Sequence, residues 1–342
     1  GGSSAVLMVA AALDAGMAPF MPTSRWAATA LAIAVPALYG GVYTALFGAW
    51  MAAAKVRRRA ALWQVLGVAA AWSGGELLRS RLFYGNPWVQ LGQSQPALLP
   101  LLQVADFGGV AAITFVIASV SAALAAPTRR ALATAAAVVL AAWGYGHGRL
   151  SALDRPPTAS MRLVLVQPNV PEDWRYALTR TSDTVRRLQE TTGDLATSPP
   201  DAVVWPENAV SVDVQTNTRL LATFATALPS TTRLVLGAPR AVSDPHGGMT
   251  LRNAALVVEP DGGVSGIYDK MRLTPFGEYY PLGLDRFLGT AARPDAQYSA
   301  GTEPVVLRLG AHRIGTLNCL EAAFADAASA LVRGGSELLL NI

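Results

Sequence analysis

Lysine is almost missing from this sequence: of its 27 basic residues only Lys55 and Lys270 are lysines. Charge of either sign is scarce as well, at 15% of residues, against roughly 25% in an ordinary soluble chain. With 52% hydrophobic residues and a mean hydropathy of +0.33, the 342-residue chain is too apolar for a typical soluble protein, and membrane spans are expected. A single cysteine, Cys319, excludes any internal disulfide. The three histidines, His147, His246 and His312, lie far apart and show no metal-ligand spacing. No basic stripe interleaved with aromatics runs through the second half, which argues against nucleic acid as a partner.

The charge that is present is unevenly placed. Residues 1–150 hold 10 Lys/Arg against 3 Asp/Glu, net +7, and residues 151–342 hold 17 against 20, net −3. The basic excess that gives a pI of 9.4 therefore belongs to the apolar half, where it bears on membrane orientation.

That half contains four long runs rich in Ala, Leu and Val: Trp26 to Ala54, Ala60 to about Leu78, Val104 to Ala126 and Ala131 to about His147. Each is near the ~20 residues needed to cross a bilayer. Ser3 to Phe20 is a weaker fifth candidate, interrupted by Asp14 and closed by Pro19 and Pro22. The competing interpretation is a set of buried helices in a large soluble protein. Lys55, Arg57, Arg58 and Arg59 form one basic connector and Arg129 with Arg130 another. By the positive-inside rule both are cytoplasmic, which puts everything after about Gly148 on the outer face, together with the loop Phe83 to Leu102. Glu76 and Asp106, near span ends, are expected to reach water there; a functional intramembrane acid is the alternative.

After Asp154 the texture changes. Residues 151–160, with Pro156 and Pro157, form a linker between a transmembrane domain over 1–150 and a second domain over 161–342. Short apolar runs at Arg162 to Val166, Ala202 to Trp205, Leu234 to Gly237, Ala254 to Glu259, Val305 to Leu309 and Ile314 to Asn318 predict strands. Helices are predicted over Thr179 to Thr191, Asn217 to Leu228 and Ala322 to Arg333. Strands apolar on both faces and separated by helices indicate an α/β domain with a covered sheet.

Three strand ends carry candidate chemistry: VVWPENAV with Glu207, YDKMRLTPFGEYYP with Lys270, and RIGTLNCLEAAF with Cys319. A cysteine at a strand-to-helix junction is placed for activation, because a helix N-terminus lowers the thiol pKa. Taken singly, each has a plain alternative: a core cysteine, a surface glutamate, an exposed ion pair of Lys270 with Asp269.

Glu, Lys and Cys in this order at successive strand ends resemble the nitrilase, or carbon-nitrogen hydrolase, superfamily. The match extends through ELLRSRLFYGNPWVQLGQSQ (Glu76 to Gln95), LVLVQPNVPEDW, WPENA, DKMRLTPFGEYYP and NCLEAAF, and is most similar to its membrane-bound branch, the apolipoprotein N-acyltransferases. The resemblance implies a polytopic α-helical membrane domain followed by an α/β, nitrilase-like α-β-β-α sandwich, in the inner membrane of a bacterium, monomeric and without cofactor or metal. It implies Glu207 as general base, Cys319 as nucleophile, and Lys270 with the backbone N–H of Leu320 as oxyanion donors. A compact ammonium fits between a carboxylate and a developing alkoxide where a planar guanidinium would not.

By the same resemblance, Glu278 and Glu321 support the site, Trp174 lies near its entrance, and Asn253 matches a family asparagine. The donor would be a phospholipid, and the acceptor the α-amine of a diacylglyceryl-cysteine apolipoprotein, in a ping-pong cycle. Leu320 departs from the aromatic residue that many relatives carry after the nucleophile. The GGSSA start without methionine and the ELLLNI end are expected to mark an internal fragment, incomplete in both domains. The alternatives are a membrane-tethered amidase acting on a small amide, a catalytically inactive membrane scaffold, and, behind both, a transporter.

Overall fold

A computed structural model describes residues 40–82, 85, 87–154, 160–170, 181–193, 195–243, 248–275, 277–280 and 298–342. The chain divides into two compact units, Gly1–Pro156 and Pro157–Ile342.

In the first unit, residues 40–53 are helical (α1). Lys55, in the left-handed region at φ 48°, turns the chain into a short 3-10 segment, Val56–Arg58, which leads to α2 (Ala61–Arg81). Helix α3 (Ala105–Ala125) follows, and then α4 (Arg129–Leu153). Thr128 caps α4, its hydroxyl accepting from the Ala131 N–H at 3.1 Å, which satisfies one orphan donor of the first turn.

Helix α4 packs through a face of small residues. The buried positions of α4 are Ala131, Ala135, Ala142 and Gly146, all small, while Leu140 is 70% exposed and Trp63 of α2 69%. Small side chains let the backbones approach closely. A Cβ on Gly146 would lie 1.8 Å from the Pro100 carbonyl oxygen.

The expectation of membrane spans is met in part, and one about a buried acid changes. Among the described residues one helix, Ala105–Ala125, is long and apolar enough to cross a membrane by length and composition, where four runs were drawn. Helix α2 is diluted by Gln64, Ser73 and Glu76, and α4 by Gly, His and Arg near its end. Ser3 to Phe20 and most of the run from Trp26 lie outside the described residues. Secondly, Glu76 does not reach water: it is buried at 8% exposure. Its carboxylate accepts from Thr114 Oγ1 at 2.8 Å, from the Leu91 N–H at 2.9 Å and from Trp72 Nε1 at 3.2 Å, tying α2 to α3 and to the GNPWVQLGQSQ loop. Asp106 is partly exposed as expected, taking hydrogen bonds from Tyr145 and Arg149.

In the second unit a five-stranded sheet has the order β1-β2-β3-β4-β5: β1 (Leu163–Leu165), β2 (Ala202–Val204), β3 (Arg233–Ser243), β4 (Met249–Val258) and β5 (Val264–Asp269). Strands β1, β2 and β3 run parallel, because helices α5 (Thr181–Thr192) and α6 (Thr218–Thr226) supply the crossovers that parallel pairing requires. Strands β3, β4 and β5 pair antiparallel. A three-stranded sheet joins β6 (Val306–Leu309), β7 (His312–Leu317) and β8 (Leu338–Asn341), with α7 (Ala325–Arg333) crossing from β7 to β8.

Side-chain alternation along the strands separates two cores. Val203, Leu234, Leu236, Leu256 and Val258 face α5 and α6 with Leu188, Leu221 and Phe224. Val204, Val235, Ala255, Val257 and Tyr268 face the second sheet, meeting Leu307, Ile314 and Leu340. On the far side of that sheet Leu317 packs with Phe324, Ala327 and Leu331. The layers are thus α-β-β-α.

Strand β5 has no counterpart among the predicted strands, and β3 extends six residues past its predicted end to Ser243. Both belong to the antiparallel part, where polar residues interrupt the apolar pattern. Helix α7 begins three residues later than expected, because Cys319–Ala323 forms a 3-10 turn.

Replacing Gly146 with leucine forces the Pro100 backbone away from α4. Overpacking of this kind costs roughly 1–3 kcal/mol, so the thermal midpoint of the purified Gly146→Leu protein should fall by several degrees. A midpoint equal to wild type would mean that the close approach is not what holds these helices together.

Candidate active site

The site residues collect where β2, β5 and β7 end. Strand β2 stops at Val204, but its ladder continues for one residue, with Trp205 N–H donating to the Val235 carbonyl at 2.8 Å. Pro206 then turns the chain so that Glu207 lies at the end of the sheet. Only glycine fits across from it, since a Cβ on Gly237 would meet the Pro206 carbonyl oxygen at 2.3 Å and the Glu207 Cα at 2.7 Å.

Lys270 follows β5 directly and is held by its backbone N–H to the Asn253 carbonyl at 2.8 Å. It is 1% exposed. Its Nζ donates to Glu207 Oε1 at 2.9 Å and to Glu278 Oε2 at 2.8 Å. Burial alone would strip the proton from such an amine, but the negative charges of Glu207 and then Glu278 outweigh it and hold the ammonium above the usual lysine value.

Asn253, fully buried, bridges the same two carboxylates from the other side, donating through Nδ2 to Glu207 Oε1 at 2.8 Å and to Glu278 Oε1 at 2.6 Å. Its Oδ1 accepts from Asn318 Nδ2 at 2.9 Å. Glu278 is anchored further by the Thr274 N–H at 2.7 Å.

Cys319 sits two residues past β7 with φ 53°, a left-handed conformation that costs an L-residue about 1–2 kcal/mol. The turn is pinned by the Cys319 N–H to the Ile342 carbonyl at 2.9 Å and by Glu321, whose carboxylate accepts from the Asn318 N–H at 2.9 Å. Glu321 is itself fully buried. It also takes bonds from the Tyr268 hydroxyl at 2.8 Å and from the N–H groups of Met271 at 2.8 Å and Arg272 at 3.0 Å. One carboxylate therefore ties the cysteine turn to the segment that carries Lys270.

The thiol opens to solvent on one side, yet the protein wall behind it, followed by the charge of Glu207, pushes its pKa up to about 11. Lys270 and the Leu320 N–H act on the thiol in the opposite direction, without outweighing these two. This corrects the expectation of a thiol activated by a helix N-terminus. The cysteine is followed by a 3-10 turn, not a helix start, and the charge acting on it most strongly is the negative one of Glu207. At neutral pH it rests as a protonated thiol.

Of the expected site residues, Glu207, Lys270, Cys319, Glu278, Glu321, Asn253 and Leu320 are brought into one cluster. Trp174 lies outside the described residues. Two members were not foreseen, Tyr268 and Asn318. The signal for Asn318 was a polar residue closing the apolar strand of RIGTLNC; Tyr268 gave none, because a tyrosine in a strand is ordinary. The ion pair expected to compete for Lys270 does not form: Asp269 points to the other face of the sheet, clamped by Arg240 at 2.6 Å and Arg252 at 2.7 Å.

The α-β-β-α layer order is that of the carbon-nitrogen hydrolase, nitrilase-like class. The carbon-nitrogen hydrolase family model matches residues 165–342, and the model described as the apolipoprotein N-acyltransferase N-terminal domain matches residues 4–123. The chain belongs to the carbon-nitrogen hydrolase family, in its apolipoprotein N-acyltransferase branch. The apolipoprotein N-acyltransferase of Geobacter metallireducens is 31% identical over 288 residues, covering 79% of this chain and 54% of that protein. That of Bradyrhizobium diazoefficiens is 31% identical over 286 residues, 76% of this chain and 52% of that protein. That of Rhizobium meliloti is 32% identical over 339 residues, 92% and 62%. The chain spans about half the length of the first two.

Because Glu207 raises the thiol and Lys270 lowers it, Glu207→Gln should bring the Cys319 pKa down. Thiolate then forms at lower pH, and alkylation by iodoacetamide at pH 8–9 should quicken, roughly tenfold for each unit of fall. In the unaltered protein the rate should keep climbing through pH 10 without a plateau. A slower reaction in the Gln variant would show that Glu207 does not set the thiol's protonation.

Proposed function

We propose that this chain carries the membrane and catalytic machinery of an acyltransferase that moves an acyl group from a phospholipid to the N-terminal amine of a diacylglyceryl-cysteine lipoprotein. The observation that carries the proposal is the cluster of Glu207, Lys270 and Cys319, with a protonated thiol against a carboxylate and an ammonium beside both. The names of its relatives and the match over residues 4–123 support the choice of lipoprotein over a small amide.

In the first half-reaction Glu207 takes the Cys319 proton as sulfur attacks the ester carbonyl of the phospholipid. The Lys270 ammonium and the Leu320 N–H stabilise the oxyanion. When the intermediate collapses, the C–O bond breaks, and the lyso-phospholipid oxygen leaves with the proton held by Glu207. A thioester remains on Cys319. In the second half-reaction the lipoprotein amine attacks the thioester carbonyl, Glu207 receives the amine proton, and the C–S bond breaks. The sulfur takes the proton back, and an amide is released.

Both substrates are acylated, and drawing an acyl chain into water costs ~0.8 kcal/mol per CH₂, so the chemistry belongs at a bilayer. The small-residue face of α4, with Leu140 and Trp63 turned outward, supports this, since close packing through small residues is what a lipid solvent selects. The basic connectors orient it with Lys55–Arg59 and Arg129–Arg130 toward the cytoplasm and the catalytic unit on the outer face of the bacterial inner membrane.

Incubating the purified protein with phospholipid should add one acyl mass to the wild type and none to Cys319→Ala. Equal adducts on both would remove Cys319 from the reaction, and free fatty acid in place of N-acylated peptide would indicate an amidase-like hydrolysis. Lys270→Arg keeps the charge but cannot fit between carboxylates 2.8 and 2.9 Å away. It should slow thioester formation by roughly 10²–10³; a loss below threefold would mean that only the charge matters.

A further inference from the structure

Asn318 is fully buried and is bonded on both sides. Its side chain donates to Asn253 Oδ1 at 2.9 Å, and its backbone N–H donates to Glu321 Oε2 at 2.9 Å. Asn253 donates onward to Glu207 and Glu278, and Glu321 accepts the N–H of Met271, the residue after Lys270. Lys270 closes the circuit by donating to Glu207. The result is a ring, Lys270, Glu207, Asn253, Asn318, Glu321 and the Met271 amide, with the cysteine turn attached to it at Asn318.

A primary amide can face two carboxylates in two ways. With its NH₂ toward them it neutralises charge; with its oxygen toward them it repels. Nothing in Asn253 itself chooses between these. The two carboxylates favour the first, and the donor of Asn318 locks it, because only an oxygen can accept it. The same bond sets the height of the cysteine turn against Glu207, the acceptor of the thiol proton.

The geometry points to Asn318 as a positioning residue that fixes the orientation of the Asn253 amide, and with it the register between the nucleophile turn and the Glu207–Lys270 pair. This rests on Glu207, Lys270 and Cys319 being the reacting groups.

The test compares Asn318→Leu and Asn318→Asp with wild type in the detergent-purified protein, following acyl-thioester formation on Cys319 by intact mass. Leucine removes the donor with little change of volume. Aspartate keeps the shape but presents oxygen to the Asn253 oxygen. Both should lower the single-turnover rate by about tenfold or more, the scale of one lost hydrogen bond next to charge. Half-saturation by phospholipid should stay within twofold. In an Asn253→Ala background, the leucine change should cost less than a further twofold. Wild-type rates in a folded Asp variant, or an undiminished effect of the leucine change without Asn253, would overturn the inference. A wild type that forms no thioester would instead overturn the reading of the triad on which it rests.

Discussion

The site depends on one buried cation. Lys270 is 1% exposed, and an ammonium there survives only because Glu207 and Glu278 sit at 2.9 and 2.8 Å. Isolated in such surroundings, the charge would cost several kcal/mol and the amine would shed its proton. Paired, it stays charged, and it in turn makes tolerable one buried carboxylate, Glu278, and one half-buried, Glu207. Each of the three groups is therefore a condition for the others, and the strand ends that carry them are held in mutual position by that requirement.

The surrounding protein adds a second function to this arrangement. Glu207 faces both the ammonium and the thiol, so the same negative charge that holds Lys270 protonated also holds Cys319 protonated. A cysteine kept as a thiol is less open to adventitious alkylation or oxidation. The left-handed backbone at Cys319 and the ring through Asn318 and Glu321 fix the turn that carries this thiol.

The first unit follows a different rule. Small residues line the buried face of its helix α4, and Glu76, the buried acid among its described residues, is satisfied by neutral donors from Trp72, Leu91 and Thr114. A carboxylate with three donors and no cation is a structural clasp, and here it fastens the loop after α2 to α3. The sequence suggested water as its partner because it showed only that Glu76 lay near the end of an apolar run; the loop that folds back over it is distant in chain terms.

What the sequence by itself determined was the part written in local pattern and residue type: the division near residue 156, the β2 and β7 strands, the α-β-β-α order implied by the motifs, and the three strand ends bearing Glu207, Lys270 and Cys319. These are legible because apolar periodicity and turn chemistry act over a few neighbouring residues. Tertiary structure alone decided which atoms meet. Strand β5 exists because β4 offers it a ladder, Asp269 turns to Arg240 and Arg252 instead of Lys270, and Asn318 finds Asn253 65 positions away. The protonation of Cys319 was likewise undecidable from its neighbours in the chain, since a thiol's pKa is set by the charges and the desolvation that folding brings to it.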